Sequence, residues 1–196
     1  MIKQFIKGRV YVFIDAANIF YTQRTLKWKI SYAGLKRYFE EECKSALGKI
    51  FVYTATDSER PQQKKFLDML EINGYIMRTK EVKRIRIAKG VYEWKGDFDV
   101  ELTIDILDNI LEFDTAVLLS GDSDFAPIIK RVKEKNKKII VVSSKYHISR
   151  ELIQLADKYI NLKKLRERIE LKQNPPDKSG RGSSHKPQNG GVTNSL

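Results

Sequence analysis

Cysteine is almost missing from this chain of 196 residues. The single Cys43 excludes an intramolecular disulfide and a cysteine-rich zinc site, and its place on the apolar stripe of an expected helix reads as a buried, inert thiol. Histidine is nearly as scarce. His147 and His185 both fall outside the acidic motifs, so they are poor candidates for catalysis and read as structural or solvated. Long apolar runs are also lacking. None approaches the ~20 residues needed to span a bilayer, and the opening MIKQFIKGRV has no signal-peptide core, so the expectation is a cytoplasmic protein with no membrane partner. No internal repeat is found.

Present instead are apolar mass and positive charge. A hydrophobic content of 41%, with nine Phe and nine Tyr, suffices for one globular domain with a sizeable core. Lys and Arg outnumber Asp and Glu by 37 to 25, a net charge of +12. That balance favours a polyanionic partner such as nucleic acid over an acidic small molecule, although a lysine-rich surface also serves solubility.

Strand and helix signals alternate along the chain. Strands are expected at Val10–Asp15, Ile50–Thr54, Tyr75–Thr79, Thr115–Ser120, Lys138–Ser143 and, as a short edge, Tyr159–Leu162. Between them, Ser31 suits the cap of a helix carrying Leu35, Phe39, Cys43 and Leu47 on one face and ended by Gly48. Ser58 and Pro61 open another that Gly74 stops. Further helices are expected over Asp97–Glu112, Asp124–Asn136 and Ser149–Asp157. Val82–Trp94 breaks the rhythm as a hairpin or arm. Such alternation, with continuously apolar strands, predicts an α/β fold with a mainly parallel sheet covered on both faces. Leu162, Leu165 and Ile169 extend helical spacing to about Lys172, so the domain is expected over 1–172; residues 173–196, poor in apolar side chains, read as a disordered tail.

Two runs, VYVFIDAANIF (Val10–Phe20) and TAVLLSGDSDF (Thr115–Phe125), are strand-like stretches that stop at an acid. On neighbouring parallel strands, Asp15 and the pair Asp122 and Asp124 would emerge at one sheet edge, where α/β folds hold ligands. The segment KGDFDVELTIDIL adds Asp99 and Asp105. Crowded carboxylates raise each other's pKa unless a cation compensates them, which makes the group a candidate Mg²⁺ or Mn²⁺ site. Asp15, at the end of a wholly apolar strand, would be costly to bury without a partner. Asn18 equally suits a helix cap, and Asp124 could cap as well, but a second acid two residues earlier exceeds what capping requires. Asp105 shares a spacing of three and four with Glu101, Asp108 and Glu112, which is also the pattern of a solvated stripe. Asp57 and Glu59 read as caps or dipole partners. Ser120 and Ser123 flank the acids as hydrogen-bonding support. Lys83, Arg84, Arg86, Lys89 and Lys95, interleaved with apolar and aromatic residues, and the group Arg24, Lys27 and Trp28, are candidates for contacting nucleic acid; a strand with one face in the core gives the same alternation.

FIDAANIF, KGDFDVELTIDIL, SGDSDFAPII and the later ISRELIQLADKYINL together resemble the NYN domain, a branch of the PIN-like nucleases, and within it the LabA-like group. The likeness covers roughly Arg9–Leu162. It implies a PIN-like three-layer α/β/α sandwich and a metal-dependent ribonuclease, with Asp15, Asp99, Asp122 and Asp124 as metal ligands and Asn18 supporting the first. The Lys-Gly pair stands one residue further from its Asp than is usual, which sets Asp97 against Asp99; Asp99-Val100, with Leu102 and Asp105, keeps the remaining spacing. The expected function is endoribonucleolytic cleavage of single-stranded or structured RNA, with an RNA- or protein-binding module of little turnover as the alternative. A phosphatase of the haloacid dehalogenase type would require a second acid where Ala17 stands. The sequence leaves a homo-oligomer open.

Overall fold

The computed structural model describes residues 1–56, 61–88 and 91–172. The expectations for Asp57, Ser58, Glu59, Lys89, His185 and the tail from 173 lie outside the described residues. After a short 3₁₀ turn, β1 (Val10–Asp15) runs directly into α1 (Ala16–Leu26), followed by α2 (Tyr32–Cys43), β2 (Leu47–Thr56), α3 (Pro61–Ile72) and β3 (Ile76–Glu81). A hairpin of β4 (Lys83–Ala88) and β5 (Val91–Lys95) stands apart. Then come α4 (Asp99–Asp108), β6 (Thr115–Leu119), α5 (Ala126–Glu134), β7 (Lys138–Ser143), α6 (Arg150–Leu155), β8 (Lys158–Asn161) and α7 (Arg166–Ile169).

Six strands form one sheet in the order β3-β2-β1-β6-β7-β8, and every pair is parallel. The alternation of side chains along each strand divides the core in two. Val10, Val12 and Ile14 point to the face covered by α1, α2, α3 and α7, where Ile19, Leu35, Phe39, Leu70 and Ile169 meet them. Tyr11 and Phe13 point to the face covered by α4, α5 and α6, against Leu102, Ile106, Ile129 and Leu152. Phe13 and Phe51 stack there at 5.2 Å, an arrangement that adds to their burial. The architecture is thus α/β/α in three layers, as the apolar strands predict.

Most elements shift by one to three residues from the expected bounds, and at α2 and α4 the tertiary structure gives the reason. The helix α2 stops at Cys43, because Lys44 turns to a φ of 52° and a 3₁₀ turn leads into β2. Leu47 therefore starts a strand, and Gly48 is no helix stop: a Cβ there would lie 2.4 Å from the Tyr11 ring, which needs that space. Helix α4 is shorter than Asp97–Glu112, since Ile110 and Phe113 turn into the core. Glu112 leaves the helical stripe to accept from the Tyr11 hydroxyl at 2.7 Å and to pair with Lys49.

The C-terminal segment is anchored to the start of α2. Ser31 N–H donates to the Ile169 carbonyl, Leu171 N–H donates to that of Lys29, and Arg168 pairs with both Glu41 and Glu42. Burial pushes the Glu42 carboxyl up, but the Met1 amino group, Arg168 and the Lys3 N–H outweigh it and hold it down to about 2. A carboxyl whose folded value lies below its unfolded 4.5 contributes stability above that pH, and the contribution fades as pH falls toward 2. Glu42→Gln is expected to flatten the acid limb of the melting temperature between those values, read by thermal denaturation at stepped pH. Cys43 is buried and free, and burial, then the charge of Glu42, push its thiol up to about 12, which leaves it unreactive.

Candidate active site

The pairing of β1 with β6 sets Ile14 beside Leu119, so the residues that follow each strand share one corner at the carboxyl end of the sheet. Asp15 stands there as the cap of α1: its Oδ1 accepts from Asn18 N–H at 3.0 Å, and its Oδ2 accepts from the Ser120 hydroxyl at 3.0 Å. Both carboxylate oxygens are thereby held in place. Ser120 Oγ also accepts from Asp122 N–H at 3.3 Å, and Asp122 Oδ1 accepts from Asp124 N–H at 3.0 Å, capping the 3₁₀ turn Ser123–Phe125. Asp99 enters from the far side as the first residue of α4, where buried Phe98 packs on Tyr53 and anchors it.

A cavity of about 880 Å³ opens here, and Asp15, Asp97, Asp99 and Asp122 all line it. Burial, then the negative charges of Asp15, Asp122, Asp97 and Asp124 in that order, raise the Asp99 carboxyl to about 6. Asp15 is also raised, chiefly by burial, against the N–H groups of Asn18 and Ala17 and the Ser120 hydroxyl, which favour its charged form. Asp97 and Asp99 both face the cavity, so the extra residue in the motif puts two acids on its wall.

All these donors are hard oxygens, suited to Mg²⁺ or Mn²⁺. Among the described residues no three carboxylate, imidazole or thiolate side chains stand close enough together to hold a metal ion between them. Magnesium does not demand three, because it keeps several waters and is held through one or two carboxylates plus a substrate phosphate. The residues therefore fit an open, hydrated ion.

The remaining candidates separate. Asp124 and Ser123 are exposed in the turn, and Asp124 acts on Asp99 only through its charge. Asn18 serves Asp15 with its backbone, and its buried side-chain Oδ1 has no partner among the described residues. Asp105 is neither a solvated stripe residue nor a wall of the cavity: it takes a bidentate Arg78 at 2.8 and 3.1 Å and the buried Tyr53 hydroxyl at 2.9 Å. Asp105→Ala would leave that hydroxyl unpaired and should cost about 1–3 kcal/mol of stability, read by urea denaturation, while sparing the carboxylate corner.

Arg24 and Lys27 are exposed at the end of α1, where a contact with nucleic acid is open to them. Trp28 is not available: 7% exposed, it belongs to the core with the Arg166 guanidinium over its ring, so the expectation that it stacks on a base is corrected. Lys83, Arg84, Arg86 and Lys95 lie on the antiparallel hairpin expected from their alternation.

Two features went unread in the sequence. Phe20 and Tyr21 line the cavity, although the burial of Ala16, Ile19 and Thr22 on α1 is a period that turns both rings out of the core. The loop after β7 packs against Gly121, whose carbonyl accepts from Ser149 N–H at 3.0 Å, and His147 reaches across to Thr25 at 2.7 Å.

A parallel α/β/α sandwich with acids gathered at the carboxyl ends of its central strands defines a PIN-like, nuclease-type fold. The chain belongs to the NYN domain family, whose model matches residues 9–163. It is 32% identical over 173 residues to the low amplitude and bright protein LabA of Synechococcus elongatus, an alignment covering 87% of this chain and 92% of LabA. An uncharacterized protein of Methanocaldococcus jannaschii, MJ0482, is 35% identical over 69 residues, 34% of this chain and 29% of that one. Among solved structures, a Vibrio parahaemolyticus protein of unknown function, VPA0982, shares the fold with a TM-score of 0.70 at 22% identity, covering 84% of this chain and 97% of its own. Among the described residues no helix is long and apolar enough to cross a membrane.

Proposed function

We propose that this protein is an Mg²⁺- or Mn²⁺-dependent endoribonuclease that hydrolyses phosphodiester bonds in RNA at the carboxylate corner. The observation that carries the reading is the convergence of acids from the ends of β1 and β6 and the start of α4, whose charges add to burial in raising the Asp99 carboxyl to about 6. Such mutual repulsion is what a bound cation relieves. Membership of the NYN family and the net charge of +12 support nucleic acid as the partner.

One or two of Asp15, Asp99 and Asp122, together with water and a substrate phosphate, would hold the ion, with the remaining acids and Asp124 adding negative charge around it. A bound divalent ion supplies an activated water and stabilises charge on the reacting phosphate. The chain's own part is preorganisation. Ser120 and the Asn18 N–H fix both oxygens of Asp15, and the Asp122 cap keeps the turn after β6 from drifting. No side-chain nucleophile is needed.

End-labelled RNA incubated with Mn²⁺, with Mg²⁺ or with chelator tests the reading. Internal fragments in the metal arms alone are expected. Intact RNA in every arm would overturn it, and tight binding without cleavage would favour the binding module. The hairpin should add affinity rather than chemistry. Lys83, Arg84 and Arg86 changed together to Ala should weaken RNA binding and lower the salt slope by about one unit for each phosphate no longer neutralised, measured by fluorescence anisotropy across a salt series.

A further inference from the structure

The cavity extends well beyond the carboxylates. From Asp15 its wall continues along α1 through Asn18, Phe20 and Tyr21, passes Tyr32, and reaches Phe66 and Met69 of α3. Leu171, held by the C-terminal anchor to Lys29 and outside the stretch matched by the family model, closes part of it. Coordinating a phosphate needs none of this apolar surface.

Three observations ask for an occupant. Phe20 and Tyr21 are 55% and 57% exposed and pack edge to face at 5.5 Å, with the Arg24 guanidinium 5.9 Å from the Phe20 ring centre, so over half of each residue stays open to water on the cavity wall. Beside them the Asn18 side-chain oxygen is buried without a partner among the described residues, an acceptor waiting for a donor. Lys29 and Lys65, both exposed, line the same cavity that carries the acids, so one space offers carboxylates, cations and apolar surface together. About 880 Å³ lies toward the upper end of the range for small-molecule sites, roughly 300–1,000 Å³, and leaves room for a nucleotide.

We infer that this apolar extension seats one unstacked nucleobase of single-stranded RNA next to the phosphate held at the carboxylates, with Phe20 and Tyr21 as its aromatic wall. The inference rests on the proposed reading of the corner as an RNA site and adds which part of the substrate the cavity selects. Lys29 and Lys65 take neighbouring phosphates. A duplex keeps its base faces stacked and paired, so it cannot fill such a seat; a single strand can. The seat thereby discriminates against paired RNA without reading a defined sequence.

The test is binding in chelator, where turnover cannot interfere. Fluorescein-labelled short oligouridylate, and the same oligomer with an abasic ribose at each position in turn, are titrated with the full chain and with the Phe20→Ala/Tyr21→Ala double variant. Both rings lie outside the core, and a melting curve checks that the variant folds. The double variant should bind oligouridylate about ten-fold or more weakly, with an unchanged salt slope because no cation is removed. One abasic position should weaken binding to the parent by a similar factor, and that oligomer should show no further loss on the variant. Equal parental affinity for intact and abasic oligomers, equal affinity for a duplex, or the same loss on both oligomers in the variant would overturn the inference. The two readings fail separately. Metal-dependent cleavage without abasic discrimination removes only the base seat, whereas discrimination without cleavage removes only the catalytic reading.

Discussion

Asp99→Asn should reduce metal-dependent RNA cleavage by about a thousand-fold or more while raising the melting temperature of the metal-free protein. On the proposed reading, the loss follows because Asp99 would be a charged oxygen ligand of an open site whose ion would stabilise charge on the reacting phosphate, an effect worth several kcal/mol. The gain follows from the same crowding. The carboxyl of Asp99 is raised to about 6 by burial and by Asp15, Asp122, Asp97 and Asp124, against an ordinary value of 3.8. A group whose folded value is raised favours the folded state below its unfolded value, and that advantage is lost as pH rises through about 6. At neutral pH the metal-free protein therefore carries a penalty, which solvent screening at this partly exposed group reduces to about 1 kcal/mol. The neutral amide removes it, for a rise of roughly 2–4 °C. Cleavage of labelled RNA and melting in chelator at neutral pH measure the two effects. Parental activity in Asp99→Asn would remove this residue from the ion site, and a lower melting temperature would mean that its charge supports the fold instead.

Gly121→Ala should lose stability and activity together. A Cβ at this position would lie 1.9 Å from the His147 carbonyl oxygen and 2.7 Å from Ser143 Oγ. The first obstacle is backbone, which cannot swing aside as the tip of a long side chain can. The loop between β7 and α6 would have to lift, breaking the Ser149 N–H bond to the Gly121 carbonyl and shifting Asp122 next door. Overpacking of this kind costs about 3 kcal/mol, a fall of roughly 6–12 °C in melting temperature. A displacement near 1 Å at a reacting centre costs about a hundred-fold in rate. Differential scanning calorimetry with the cleavage assay checks both. A melting temperature within about 2 °C of the parent would show that the loop yields freely. Of the two variants, only this one should fail in stability, so the pair separates electrostatic from steric damage at one corner.

Much of the architecture was legible from periodicity. Val10–Asp15 and Lys138–Ser143 are strands with the expected bounds, and Ser31 and Ser149 cap their helices. These are local matters of apolar runs and capping chemistry. The bounds of α2 and α4 were not legible, because Gly48 answers to the Tyr11 ring and Glu112 to Lys49 and the Tyr11 hydroxyl, partners remote in sequence. The same distinction runs through the candidate site. Acids at the ends of apolar strands marked Asp15, Asp122 and Asp124, and the motif resemblance added Asp99.

By itself the sequence determined the parallel α/β order, the acidic motifs and the family, since strand and helix periods and short motifs are written in neighbouring residues. Tertiary structure alone decided that Asp105 is held by Tyr53 and Arg78, that Trp28 is core, and that Phe20 and Tyr21 share a cavity with Asp15 and Asp99. Hydrophobic burial and charge pairing act between segments the chain must first bring together, so no local pattern records which partner each residue meets.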